Sequence, residues 1–379
     1  MHKRVLQKPD GRELRLYSHT PIAGDTHGGE MSAPSPFADP LHANPHLRWH
    51  PLRGDWITYA GYRQTRTFLP PPEYNPLAVT RDAQNPTELP PGDWEVAVFD
   101  NRFPSLSLEA HSAPELIVPT QPATGKCEVV VFTQDANASL GALPLPHIAL
   151  LLEVWAERTH ALGSDPRIQY VLPFENRGAE VGVTLNHPHG QIYAYPVVPP
   201  VPARMQQQAS AYYREHGHGV LAMLIAQELA DGRRIVYRGE HAVAFVPVCA
   251  RYPYEVWVAP IQAVATFAGL NEAQRADLAR ALKTVLMKFD ALWNRPFPYL
   301  MAWYQAPTDD EAHPEAHLHA EFYPPYRTAE KLKYLAGTEI AAGFFAMDAL
   351  PEDKARELQN VEVDVDALAA AASDGAANP

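Results

Sequence analysis

The sequence predicts an α+β protein built from two copies of one unit, with antiparallel sheets covered by helices. Three observations carry this. First, a series of segments occurs twice: EVAVF (95–99), EVVVF (128–132), a helical stretch, IQYVLPFEN (168–176) and HPHGQIYAYP (187–196) are echoed by AVAFVPV (242–248), YEVWVAP (254–260), a second helical stretch, PYLMAWYQAP (298–307) and HLHAEFYPP (317–325). Leu162 precedes His187 by 25 residues and Trp293 precedes His317 by 24, a spacing match that two copies of one unit explain. Second, each copy has short strands, hairpin-length or slightly longer links and one long helix, which favours antiparallel pairing over a doubly wound parallel sheet. Third, 38 prolines among 379 residues disfavour a helical bundle.

Taken in order, residues 1–45 mix charges with Pro, Gly and Ser without a sustained period, and read as a surface arm or a partly disordered segment on which little chemistry depends. Residues 46–200 form the first half. Its helix places Ile148, Leu151, Leu152, Trp155 and Leu162 on one face. Residues 201–363 form the second half, whose helix opens at Asn271 with Gln274 three residues on, a capping-box pattern, and carries Leu278, Leu282, Val285, Leu286, Phe289 and Trp293. Residues 364–379 are rich in small side chains and read as a frayed, flexible tail.

A net charge of −13 argues against general binding to nucleic acid or an anionic membrane, so a phosphate ligand would need a local basic cluster. Cys127 and Cys249 form no C-x-x-C pair, which fits a reducing cytoplasm and excludes a thiolate zinc knuckle. The first thirty residues hold no apolar run of signal-peptide length, and nowhere do eighteen apolar residues follow one another. Neither glycine-rich nucleotide loop motif is present.

His187 and His189 flank Pro188 and fall on one side of a strand by alternation. Two such imidazoles can ligate metal, move protons, act as nucleophiles or simply pack. Gly190 leaves room for a bulky anionic group, and Gln191 offers a neutral amide to phosphoryl oxygens. A neutral imidazole attacks phosphorus and passes the group on, so the combination suits phosphoryl or nucleotidyl transfer. The second copy keeps His317 and His319 but has Ala320 and Glu321 where the first has Gly190 and Gln191, and a carboxylate there repels phosphate. Only the first copy reads as catalytic. The second, with His313, could hold a divalent metal, though satisfied polar packing is the preferred reading. His216 and His218 in REHGHG read as a polar turn, and RYPYE around Tyr252 as a turn entering a strand.

The segments HPHGQ, FENRG (174–178), FPYLMAWYQAP (297–307), LHAEFYPP (318–325) and KLKYLAGTE (331–339) together resemble the galactose-1-phosphate uridylyltransferase family, itself an internal duplication of a histidine-triad unit. The likeness runs from about His46 to about Leu358. It implies a ping-pong reaction in which His189 takes the uridylyl group from UDP-glucose and hands it to a hexose 1-phosphate, with the His187 carbonyl fixing the tautomer of His189. It further implies that Gln191, Arg63, Arg66, Asn176 and Thr184 meet the phosphates, that Asn101 meets the uridine or ribose, and that Lys333, Tyr334 and Glu339 surround the hexose. A cytoplasmic homodimer whose active sites draw on both subunits is implied as well.

Departures from the family pattern are informative. Asn75, Ala78 and Ala136 stand where zinc ligands are usual, leaving His187 alone; Tyr304, Glu321 and Met205 stand at the family's second metal site beside His319. The expectation is a protein with no metal ligands and no required cofactor. Thr338 and Phe345 differ from the usual hexose-side tyrosine and glutamine, so the hexose phosphate is the substrate least determined by the likeness. Galactose 1-phosphate in galactose metabolism is the leading reading. The alternatives are a related histidine-triad nucleotidyltransferase, phosphorylase or hydrolase acting on another nucleotide, and a non-catalytic nucleotide-sugar binding protein.

Overall fold

A computed structural model describes residues 1–23, 29–65, 74–309 and 311–367. The first half contains β1 (His2–Gln7), β2 (Glu13–Ser18), β3 (Gly29–Glu30), β4 (His46–His50), β5 (Asp55–Tyr59), β6 (Val96–Asp100), β7 (Thr120–Pro122), β8 (Lys126–Val131), α1 (Leu145–Gly163), β9 (Tyr170–Arg177) and β10 (His189–Tyr195). The second contains α2 (Pro200–His216), α3 (Val220–Asp231), β11 (Ile235–Arg238), β12 (Ala242–Phe245), β13 (Val256–Pro260), α4 (Glu272–Leu292), β14 (Tyr299–Tyr304), β15 (His319–Tyr323), β16 (Tyr326–Thr328), β17 (Lys331–Leu332) and α5 (Pro351–Gln359).

Twelve strands form one sheet in the order β11-β12-β13-β15-β14-β9-β10-β8-β6-β2-β1-β3. All neighbours are antiparallel except β1 and β3. The order is mirrored about the β14–β9 junction: β12-β13-β15-β14 on one side answers β6-β8-β10-β9 on the other. The repeat read from the sequence is thus a pseudo-twofold. The halves merge into one continuous sheet because β14 pairs with β9, with Leu300 opposite Asn176 and Ala302 opposite Phe174.

Alternation along the strands sends side chains to two different cores. Val96, Val98, Val130, Phe132, Ile192 and Ala194 meet α1 and α4, whereas Ala97, Phe99 and Val131 meet Leu77, Leu89 and Trp94 on the other face. The expected helix faces are the buried ones: Ile148, Leu151, Leu152, Trp155 and Leu162 of α1, and Leu278, Leu282, Val285, Leu286 and Phe289 of α4. Trp155 ties the halves together, its ring 6.2 Å from Phe132, 5.9 Å from Phe267 and 5.7 Å from Trp303. The capping box at α4 is complete, with the Asn271 carboxamide accepting from the Gln274 amide at 2.8 Å and the reciprocal bond at 3.0 Å.

The N-terminal arm differs from expectation. β2 is an interior strand, paired with β6, and Leu6, Leu14 and Leu16 are buried. Its charged residues hid this. Arg15 is also buried and meets Glu128 at 3.3 Å, so a strand covered on both faces carries a polar composition. At the opposite end, α5 packs by β11, and Gln359 donates to the carbonyls of Arg233 and Ile235 at 3.2 and 2.8 Å. Residues 368–379 of the expected tail lie outside the described residues, and Asp366 before them is paired with Arg280 at 2.7 Å. Among the described residues no helix is long and apolar enough to cross a membrane.

One buried acid beside the junction sets a stability test. Glu175 is buried and accepts from the Tyr299 hydroxyl at 2.9 Å, and burial pushes its pKa up to about 7. The folded state therefore keeps a proton that the unfolded chain releases near the ordinary carboxylate range, so stability declines as pH rises from about 4.5 to about 7. Glu175→Gln should remove that decline, raising stability by about 1–3 kcal/mol at pH 8 and little at pH 4, as measured by thermal melts at both values.

Candidate functional site

The site begins with the direction in which β10 presents its residues. Ile192 and Ala194 face the helices, so His189, Gln191 and Tyr193 face the opposite side. On β9 the same alternation turns Phe174 and Asn176 to that side. A cavity of about 310 Å³ opens there, lined by these five residues with Arg63, Asn101, Phe103, Gly190 and the loop residues Gly182, Val183 and Thr184.

His189 is held by one bond. Its Nδ1–H donates to the His187 carbonyl at 2.7 Å, which leaves the lone pair on Nε2, with no partner among the described residues. Burial, followed by the neighbouring His187 ring, lowers the pKa of His189, so the ring is neutral at pH 7. The His187 carbonyl is itself fixed from both sides. His187 Nε2–H donates to the Thr133 carbonyl at 2.7 Å, and the next carbonyl, of Pro188, accepts from the Phe132 amide at 3.0 Å.

The other cavity groups are donors or neutral. Arg63 lies in a short helical turn, and its Nη1 donates to the Phe103 carbonyl at 2.6 Å. Asn101 accepts the Phe103 amide at 2.9 Å through Oδ1, leaving its NH2 group for a ligand. Asn176 Oδ1 is buried and accepts no hydrogen bond among the described residues. A buried acceptor without a partner costs free energy that a bound ligand's hydroxyl or N–H would recover. No carboxylate lines the cavity among the described residues, so the site favours an anion despite the acidic chain.

The structure therefore brings His189, Gln191, Arg63, Asn101, Asn176 and Thr184 together. His187 sits behind His189 as its orienting residue. Arg66 lies outside the described residues. Lys333, Tyr334 and Glu339 do not reach this cavity: Lys333 is buried, with Nζ bonded to the Ala346 carbonyl at 2.6 Å and 3.6 Å from Glu339, while Tyr334 is 72% exposed. Sequence reasoning missed Phe103, Phe174, Val183 and Tyr193. Tyr193 and Phe174 were open to it, because each stands two residues from a chosen one on the same strand.

Gly190 has a different reason from the one expected. A Cβ there would come within 2.7 Å of the Phe174 carbonyl and 2.8 Å of the Phe132 ring, so its missing side chain answers to the core under the strand.

The second copy repeats the backbone logic with other chemistry. His317 Nε2 bonds the Pro260 carbonyl at 2.8 Å, and His319 Nδ1 bonds the His317 carbonyl at 2.7 Å. His319 Nε2, however, meets Glu321 at 3.2 Å, and the Tyr304 ring stacks on it at 5.5 Å. Glu321 in turn is held by Arg251 at 3.0 Å and by the Tyr323 hydroxyl. The nitrogen equivalent to the free one of His189 is sealed.

Neither family metal site fits its residues. The Asn75 amide approaches His187 Nδ1 at 3.0 Å, occupying the lone pair that a metal would need, and Ala78 and Ala136 supply no donor. At the second site the Arg251 guanidinium already neutralises Glu321, and Tyr304 is bonded to Tyr323 at 2.9 Å. His313 is taken up by Asp309 at 2.8 Å and Glu315 at 3.3 Å. Among the described residues no group of three His, Cys, Asp or Glu side chains forms a metal cluster.

A duplicated α+β sheet with a neutral histidine above an anion-binding cavity suits nucleotidyl transfer, the class to which the relatives below belong. Comparison with known proteins specifies it further: residues 37–199 match the N-terminal domain of galactose-1-phosphate uridyl transferase and residues 205–371 match its C-terminal domain. The chain belongs to the galactose-1-phosphate uridylyltransferase family. It is 35% identical to the galactose-1-phosphate uridylyltransferase of Thermotoga maritima, over 84% of this chain and 99% of that one. It is 38% identical to the Streptomyces lividans enzyme, over 81% of each. A solved uridylyltransferase structure superposes with a TM-score of 0.74 at 31% identity, covering 83% of this chain and 97% of that one. An ADP-glucose phosphorylase from Arabidopsis thaliana with bound ADP-glucose shares the fold, with a TM-score of 0.64 at 24% identity over 84% of this chain and all of that one.

Gly190→Ala should destabilise the protein by about 2 kcal/mol, since the Phe174 backbone cannot move aside as a flexible side chain would. A denaturant melt reads this directly, and a wild-type midpoint would refute the packing account.

Proposed function

We propose that the protein is a UDP-glucose:hexose-1-phosphate uridylyltransferase that works by a ping-pong mechanism through uridylyl-His189, with galactose 1-phosphate as the acceptor. The observation that carries this reading is the single bond from His189 Nδ1–H to the His187 carbonyl, which leaves Nε2 a lone pair at a cavity of neutral and cationic donors. Nε2 attacks the α-phosphorus of UDP-glucose; the new N–P bond forms as the bond to the bridging oxygen breaks, and glucose 1-phosphate departs with that electron pair. In the second half-reaction a phosphate oxygen of the acceptor attacks the same phosphorus, and the N–P electron pair returns to Nε2. Arg63, Gln191 and Thr184 would meet the phosphoryl oxygens, whose charge grows in the transition state. Asn101 and Asn176 would hold the nucleoside portion and the α-phosphate side.

No step in this scheme needs a metal. The proposed setting is the cytoplasm, where Cys127 and Cys249, both free, remain reduced. Of Lys333, Tyr334 and Glu339, Tyr334 is the exposed one that would serve the hexose of a second copy's cavity in a homodimer, while Lys333 and Glu339, whose side chains are buried against each other, would hold the segment that carries it. Support comes from their placement away from their own cavity, on a segment that also exposes Ile340, Phe344 and Leu350.

His189→Asn should lose at least about 10⁴-fold in turnover while melting like the wild type, and labelled UMP from UDP-glucose should attach to the wild type alone. The wild type should exchange glucose 1-phosphate into UDP-glucose without any acceptor; binding without label or exchange would point to a non-catalytic nucleotide-sugar protein. Because the His189 pKa is lowered, the labelling rate should stay flat from pH 8 down through the ordinary imidazole range and fall only at more acid pH. Chelator treatment should leave the exchange rate unchanged, measured alongside metal content. For the dimer, mixing His189→Asn with Tyr334→Ala under exchange of subunits should restore turnover that neither shows alone.

A further inference from the structure

The β1–β2 hairpin precedes residue 37, where the match to the family's N-terminal domain begins, yet its turn carries a set of buried charges. The side chains of Lys8 and Asp10 are fully buried and that of Arg12 is 10% exposed. Lys8 pairs with Glu88. Arg12 bonds Asp10 at 2.7 Å and Glu88 at 2.8 Å, and Asp10 lies 3.4 Å from Arg102. Burying so many charges adds little stability over an apolar turn, so stability alone is a poor reason for the arrangement.

Its geometry suggests another. The network holds the chain at two nearby points, the backbone carbonyl of Asp100 and the side chain of Arg102. Arg12 Nη1 donates to the Asp100 carbonyl at 3.0 Å. Arg102 Nη1 donates to the Asp39 carbonyl at 2.9 Å, and the Phe37 ring lies 5.6 Å from the Arg12 guanidinium and 4.8 Å from that of Arg102. Asn101 lies between these two points and Phe103 directly after them; both line the cavity, and the Phe103 carbonyl accepts from the cavity's Arg63. We infer that Asp10 and Arg12 are positioning residues for the nucleotide cavity, holding Asn101, Phe103 and Arg63 in place through Asp100 and Arg102. This rests on the uridylyl-transfer reading above.

Asp10→Asn keeps the shape and removes the charge; Arg12→Lys keeps the charge and cannot reach Asp10, Glu88 and the Asp100 carbonyl together as the guanidinium does, and serves if the first variant folds poorly. Lys3→Met is the control. Lys3 pairs with Glu157 at 2.7 Å near the start of the hairpin, so its loss loosens the hairpin without touching residues 100–103. Expected for Asp10→Asn is a rise of about 10-fold in KM for UDP-glucose with kcat within about twofold, and faster amide exchange at residues 101–103 in the ligand-free protein. Lys3→Met should lower the melting temperature and leave both readouts at wild-type values. Wild-type KM and exchange in both Asp10→Asn and Arg12→Lys would overturn the inference, as would an equal rise in KM with Lys3→Met. Should the wild type itself fail to turn over UDP-glucose, the functional reading falls; amide exchange without ligand then still decides whether the hairpin holds residues 101–103.

Discussion

One carbonyl governs the site. The His187 oxygen must accept from His189 Nδ1–H, because only then is Nε2 the bare nitrogen at the cavity. Everything around it keeps that oxygen still. Pro188 stiffens the backbone between the histidines, the Pro188 carbonyl is tied to β8 through the Phe132 amide, and His187 is anchored at both ring nitrogens by Thr133 and Asn75. Asn75 occupies a position where the family resemblance implies a metal ligand. A neutral amide at that nitrogen fixes the ring by hydrogen bonding, so rigidity there can be had without a coordinated ion.

The duplicated half shows what the same scaffold does with different neighbours. His317 and His319 repeat the bonds of His187 and His189 almost unchanged, which makes this orientation a property of the strand geometry more than of catalysis. The divergence lies two residues on, at the next side chain on the same face. Glu321 replaces the amide of Gln191, engages the outward nitrogen and recruits Arg251 and Tyr323 to satisfy its own charge. In the first half a neutral residue at position 191 leaves Nε2 of His189 without a partner among the described residues.

Much of this was legible in the sequence, for identifiable reasons. Strands β6, β8, β9, β10 and helices α1 and α4 follow from alternation and helix spacing, and the cavity residues on β9 and β10 follow once one histidine is placed. The β14–β9 pairing was not readable, since periodicity along each strand carries no information about which strand lies beside it. The arm was misjudged because Lys8, Asp10, Arg12 and Arg15 look solvated when Glu88, Arg102 and Glu128, which pair with them, lie about 80 to 110 residues away. Gly190 was assigned to the ligand side, whereas the Phe174 carbonyl on β9 and the Phe132 ring, both distant in sequence, reveal that its constraint comes from neighbouring chain.

The ends of the sheet limit how molecules of this kind can meet. At β11 the carboxamide of Gln359 occupies backbone acceptors that an incoming strand would use, and at the far end β3 offers only two residues for pairing. A twelve-stranded sheet with open borders would be a template for endless lateral growth. Gln359 blunts one border, whereas at the other β3 covers only Leu6 and Gln7 of β1, so the two ends of the sheet are protected unequally among the described residues.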